Sequence, residues 1–226
     1  ESYGEIAQSG GGCCGEGVNC CGDGSERTYA QLIGYKEVDL DVVPEGANLG
    51  LGCGNPTALA EIVEGEVVLD LGSGAGFDAF LAARQVGSEG RVIGVDMTPE
   101  MLARARRNAV EAGLEQTVEF REGEIERMPV VDNSVDVVIS NCVINLSPDK
   151  PAVFREAFRV LKEGGRLAIS DIVLSEALNP ELVEMAAGYI GCISGASVAE
   201  DYFAMMREAG FADITWERAS AAPLFN

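Results

Sequence analysis

The sequence predicts an α/β fold, a mostly parallel sheet with helices on both faces. Three observations carry this expectation. From residue 67 onward, short runs rich in Val and Ile alternate with segments of helical apolar spacing. The first run, Val67-Val68-Leu69-Asp70-Leu71, passes through Gly72-Ser73-Gly74-Ala75-Gly76 into Phe77-Asp78-Ala79-Phe80-Leu81, which reads as strand, tight turn and helix. The second run, Arg91-Val92-Ile93-Gly94-Val95-Asp96, again closes on an acid. Sheets of this kind bind ligands at the carboxyl ends of their strands, near the point where strand order reverses.

The elements follow in order. Residues 1–26 have almost no apolar bulk and are expected to form a flexible Cys/Gly-rich arm, with the folded domain in residues 27–226. A short helix is predicted near residues 29–34, then an acidic turn through Asp39, Asp41 and Pro44. The stretch Asn48-Leu49-Gly50-Leu51-Gly52-Cys53-Gly54-Asn55-Pro56 is too glycine-rich for a regular element, and a short helix is predicted over residues 57–63. After the second strand, Thr98 can cap a helix that has Pro99 at its first position and Gly113 at its end. Met101, Leu102, Ala105 and Ala109 share one face of that helix. Strands are predicted at residues 118–121 and 134–140, the latter apolar enough to be buried on both faces. Val153, Phe154, Ala157, Phe158 and Leu161 mark a helix stopped by Gly164-Gly165, before a fifth strand over residues 166–172. Helices over residues 178–190 and 198–210 and a strand over residues 211–218 complete the prediction. No room for a full further strand remains before Asn226, so the last strand is expected to be truncated, and Glu1 stands where an initiator methionine would.

Composition narrows the chemistry. Of 226 residues, 47% are hydrophobic, enough for a substantial core. Lys+Arg 16 against Asp+Glu 37 gives a net charge of −21, which repels nucleic acid and anionic lipid. No apolar run approaches the ~20 residues of a membrane span, and a cytoplasmic monomer without nucleic-acid or membrane partners is expected. Histidine is absent, which removes Ser-His and Cys-His catalysis. The seven cysteines therefore draw attention to thiol or metal chemistry. Cys13, Cys14, Cys20 and Cys21 crowd into nine residues, either as a thiophilic-ion site or as an exposed redox-active arm.

A second set of residues suits a nucleotide-bearing ligand. Gly72, Ser73, Gly74 and Gly76 form the turn, but the dinucleotide pattern wants a glycine where Phe77 stands. Asp96, 22 positions after Gly74, is placed to accept hydrogen bonds from ribose hydroxyls. Glu124, after Gly123, suits an adenine amino group, and the charge of Asp70 suits an ammonium or sulfonium.

Asp70-Leu71-Gly72-Ser73-Gly74-Ala75-Gly76, Asp96-Met97 and Gly123-Glu124-Ile125-Glu126 resemble the class I S-adenosylmethionine-dependent methyltransferases over roughly residues 60–220. The resemblance implies S-adenosyl-L-methionine as methyl donor, a Rossmann-like sheet with a reversed strand near its far edge, and a cofactor site built from Asp70, Gly72, Ser73, Gly74, Gly76, Asp96, Met97, Glu124, Ile125 and Asn141. Three stretches are similar to one branch, the arsenite methyltransferases: residues 48–56, Ser140-Asn141-Cys142-Val143-Ile144-Asn145-Leu146-Ser147-Pro148-Asp149-Lys150, and Gly191-Cys192-Ile193-Ser194-Gly195-Ala196. Carried over residue by residue, Cys53, Cys142 and Cys192 match thiols that bind As(III) and act in catalysis. A further upstream cysteine would cycle through a disulfide, Cys21 being nearest in sequence among the four of the arm. The implied substrate is arsenite or its thiol conjugate, with a thiol reductant such as thioredoxin or glutathione as co-substrate. Trivalent arsenic is soft and suits thiolates, and its lone pair takes a methyl group without losing a proton, so no histidine is needed. Lys150 and Arg155 are the cations placed to favour thiolates, against Glu61 and Glu64. The alternatives are a small-molecule C-methyltransferase of the quinone or sterol kind, which leaves the three cysteines unexplained, and a non-catalytic metalloid-binding protein.

Overall fold

The computed structural model describes residues 26–177, 193 and 195–218. Its centre is a five-stranded sheet, wholly parallel among the described residues, with strand order β3-β2-β1-β4-β5. The strands are β1 (Val67–Leu71), β2 (Arg91–Asp96), β3 (Val118–Glu122), β4 (Val135–Asn141) and β5 (Leu161–Ser170). The order reverses at β1: β2 and β3 build outward on one side, β4 and β5 on the other. Leu71 pairs with Ser140 and Asn141 with Ser170, so β1, β4 and β5 end side by side at one rim.

Alternation along the strands loads both faces. Val68, Val92, Val137 and Ile139 point to one side, where they pack with Phe80, Ala83, Leu102, Ala105 and Phe120. Leu69, Leu71, Ile93, Val95 and Val138 point to the other, against Val153, Phe154, Ala157, Val160 and Tyr202. The helices on the first side are α4 (Phe77–Val86) and α5 (Pro99–Glu111); on the second they are α6 (Lys150–Val160) and α7 (Ala199–Ala209). Period-2 burial on the strands and the apolar stripe on each helix are the two halves of one layered core.

Ahead of the sheet stand three short helices, α1 (Glu26–Leu32), α2 (Glu37–Leu40) and α3 (Pro56–Leu59). The predicted acidic turn around Asp39 is in fact α2, because the Asp39 carboxylate accepts the Lys36 amide N–H at 3.1 Å and closes a helix start. The helix expected over residues 57–63 is a single turn, ended where Glu61 adopts a left-handed φ of 47°.

Two further expectations are corrected. Gly164-Gly165 does not stop a helix: α6 ends at Val160 and the glycines lie inside β5. Val135 pairs with Leu161 and Val137 with Arg166, so residues 162–165 bulge out of the ladder, with Gly164 at φ 77°. Residues 211–218, expected to be a strand, carry no strand pairing, and no reversed strand occurs among the described residues. Phe211 instead packs edge-on to Phe158, and Trp216 lies 5.8 Å from Phe203, ring centre to ring centre. The predicted arm, the helix over residues 178–190 and the loop carrying Cys192 fall outside the described residues.

Arg166 locks the segment before β1 onto β5. Its guanidinium makes two bonds of 2.7 and 2.8 Å to the Glu66 carboxylate and donates to the carbonyls of Ala60 and Glu61. The charge holds the Glu66 carboxyl below the usual range. Arg166→Ala is expected to lower stability by about 1–3 kcal/mol, read as a lower urea midpoint at unchanged m-value.

Candidate functional site

The site lies at the rim where β1, β4 and β5 end. Its first part is the turn after β1. Asp96, at the end of β2, holds that turn: its Oδ2 accepts the Gly74 amide N–H at 2.9 Å and its Oδ1 accepts the Thr98 amide N–H at 2.8 Å. A carboxylate oxygen has two lone-pair directions, so each still has one for a ligand hydroxyl. Ser73 is buried with its hydroxyl unpartnered among the described residues, and Met97 is exposed. Ile125 is buried, while Glu124 is exposed and forms an isolated bridge with Arg127.

Asp70 is the buried acid of this part. It is 2% exposed, and its Oδ2 has no hydrogen-bond partner among the described residues. Burial, reinforced by the like charges of Asp78 and Asp96, pushes its carboxyl well above the ordinary range. A buried carboxylate oxygen with nothing to pair with fits a cationic group brought by a ligand. The turn and its acids therefore fit S-adenosylmethionine, whose ammonium would meet Asp70 and whose ribose would meet Asp96.

The second part is a junction between chain segments far apart in sequence. Asn141, the last residue of β4, places its side chain under the Cys53 loop. Its Oδ1 accepts the Cys53 amide N–H at 2.9 Å. Its Nδ2 lies 2.9 Å from the Gly54 carbonyl, 2.9 Å from the Tyr35 hydroxyl and 3.0 Å from Asp78 Oδ2. Tyr35 in turn donates to Asp78 Oδ1 at 2.6 Å. The glycines flanking Cys53 have a packing reason: a Cβ at Gly52 would stand 2.7 Å from the Asn141 amide, and one at Gly54 would stand 2.7 Å from the Ser170 side chain. Asn141, expected among the cofactor residues, thus has its amide engaged within the protein.

Cys142 turns sharply after β4 at φ 61°, with its amide N–H donating to the Ser170 carbonyl at 2.8 Å. That bend brings it to Cys53, and the two are joined as a disulfide across 89 positions. The sequence placed both among arsenic-binding thiols and looked to the arm for a disulfide partner; here they pair with each other. Cys192 and Cys21 lie outside the described residues.

Asp171 was not singled out from sequence. An oxygen of its carboxylate and the sulfurs of Cys53 and Cys142 all lie within 4.8 Å of one another. Tyr202 donates to its Oδ2 at 2.9 Å, and Asn145 to its Oδ1 at 2.7 Å. Burial pushes its carboxyl up to about 6 against the Tyr202 hydrogen bond. Lys150 interacts with Asp171, which opposes the fall that burial imposes on the lysine; Arg155 is exposed.

A family model described as a methyltransferase domain matches residues 62–210. The chain belongs to that family. As a methyltransferase-family chain it is 52% identical over 219 residues to an arsenite methyltransferase of Halobacterium salinarum, covering 93% of this chain and 56% of the relative. It is 43% identical over 179 residues to the arsenite methyltransferase of Aquipseudomonas alcaligenes, covering 76% of this chain and 51% of that one. The crystal structure of an arsenic (III) S-adenosylmethionine methyltransferase from Chlamydomonas reinhardtii superposes with a TM-score of 0.66 at 37% identity, over 84% of this chain and 62% of that one. The chain spans about half the length of the curated relatives it matches. The resemblance drawn from the three cysteine stretches is borne out, as is the class I methyltransferase fold. Among the described residues no helix is long and apolar enough to cross a membrane.

Two outcomes follow from the Asn141 junction. Asn141→Ala is expected to destabilise the domain by about 1–3 kcal/mol and to slow re-formation of the Cys53–Cys142 disulfide about tenfold, followed by peptide mapping after reduction. The Asp78 carboxyl, raised by burial to about 6 from an ordinary 3.8, is expected to titrate near pH 6 in carboxyl carbon NMR. Its folded form keeps a proton that the unfolded chain has lost. Its contribution to stability is therefore fully present below pH 3.8 and is lost as pH rises through about 6.

Proposed function

We propose that this chain carries the methyl-transferring part of an arsenite methyltransferase. The observation that carries the reading is the meeting of Cys53 and Cys142 at the end of β4, one strand away from the turn after β1. Relatives named arsenite methyltransferase support it. Asp70, Gly72, Ser73, Gly74, Gly76, Asp96, Met97, Glu124 and Ile125 are assigned to the cofactor. S-adenosylmethionine bound there supplies a methyl group on a sulfonium, which a nucleophile with a free lone pair takes without proton transfer. Cys53, Cys142 and Cys192 are assigned to arsenite as thiolate ligands, leaving the arsenic lone pair free.

The work of the protein is positioning. Asn141 holds Cys53 against β4, and the left-handed bend at Cys142 turns that sulfur toward it. The pairing of Cys53 with Cys142 supports a return step. Two arsenic–sulfur bonds break as one sulfur–sulfur bond forms, and pentavalent arsenic gains the two electrons that return it to the trivalent state. An external dithiol or glutathione then reduces the disulfide.

The test incubates the reduced chain with arsenite, labelled S-adenosylmethionine and a dithiol. Methylated arsenic is the expected product. Cys142→Ser is expected to lower turnover by roughly 100-fold while sparing cofactor affinity. Asp96→Ala is expected to weaken the cofactor roughly tenfold while sparing arsenite. Arsenite binding without methyl transfer would replace this reading with that of a metalloid-binding protein.

A further inference from the structure

We infer that Cys53, Cys142 and Asp171, once the disulfide is reduced, form a binding site for a soft divalent cation of the zinc or cadmium class. The three donors come from three separate places: the glycine-flanked loop before α3, the bend after β4 and the first residue after β5. Their ligand atoms lie within 4.8 Å of one another, close enough for one ion to reach all three once the bond between the two sulfurs is opened and they part.

The carboxylate is held as a ligand has to be held. Asp171 Oδ1 accepts the Asn145 amide at 2.7 Å and the Ile172 backbone N–H at 3.0 Å, and Oδ2 accepts the Tyr202 hydroxyl at 2.9 Å. Outer hydrogen bonds of this kind fix the direction of a metal-binding carboxylate. Asn145 is 2% exposed, and its own Oδ1 has no partner among the described residues.

The donor set selects the ion. Two thiolates and one carboxylate oxygen suit zinc or cadmium with water in a fourth position, whereas magnesium and calcium require oxygen throughout. The disulfide offers no thiolate. Reduction by an external dithiol adds two electrons and two protons across the sulfur–sulfur bond. Binding then forms two sulfur–metal bonds and releases the two thiol protons to solvent. The site is thus gated by the redox state of the Cys53–Cys142 pair. The binding claim is independent of arsenic chemistry; only its corollary, competition between the cation and arsenite for two sulfurs, rests on the function proposed above.

The experiment uses the full chain with Cys13, Cys14, Cys20 and Cys21 replaced by serine, reduced with a phosphine and titrated with cadmium chloride in the absence of arsenite. One equivalent of a sulfur-to-cadmium charge-transfer band is expected, abolished by Cys53→Ser and by Cys142→Ser. Asp171→Asn, which keeps an oxygen for Asn145, is expected to weaken cadmium about tenfold or more with the circular dichroism spectrum unchanged. Unchanged affinity in that variant would overturn the inference. The cadmium-113 resonance of the chain with Asp171 intact is a second measurement, one that does not depend on an Asp171 variant folding. A shift for two or three sulfurs with oxygen supports the site, and a shift for sulfur ligands alone removes Asp171 from it.

Discussion

The rim that brings Cys53 to Cys142 depends on one side chain, the Asn141 amide. No cross-link in the reduced chain ties the Cys53 loop to the sheet, and the glycines on either side of Cys53 bring no side chains to hold it. The contacts of Asn141 with the Cys53 amide, the Gly54 carbonyl, Tyr35 and Asp78 convert a flexible segment into a fixed neighbour of β4. Because Cys142 is the next residue, one amide sets the separation of two sulfurs. A position at a strand end is well suited to this, since its backbone is already fixed by pairing with Ser170.

Around that amide the charge balance is unusual. Asp70 and Asp78 are both buried, and burial raises both carboxyls. Two buried acids side by side are an arrangement that a folded protein keeps when something positive arrives or when a proton is held. Asp78 meets its need through Tyr35 and Asn141. Asp70 keeps an oxygen without a partner among the described residues. The same structure thus separates a carboxyl that organises the thiol loop from one left without a partner among the described residues, although they lie eight positions apart.

Where the sequence is periodic, expectation and structure agree. The strands ending at Leu71 and Asp96, the helix opened by Pro99 and the buried strand over residues 135–141 follow from apolar alternation and capping residues, which act locally. They part where a local signal has two meanings. Gly164-Gly165 reads as a helix stop, yet a glycine pair serves equally well for a bulge, and only the register against β4 distinguishes them. Residues 211–218 have strand composition, but a strand exists only where a partner edge receives it.

Residue order by itself determined the layered fold and the glycine turn with its acids, and singled out Cys53 and Cys142, because each is written in short-range spacing or in a family motif. The tertiary structure alone decided that these two sulfurs meet, that Asn141 serves the thiol loop, and that Asp171 stands beside them. The first two of those contacts join segments 89 and 88 positions apart. Chain separation carries no information about such contacts until parallel pairing of β1, β4 and β5 aligns their ends at one rim.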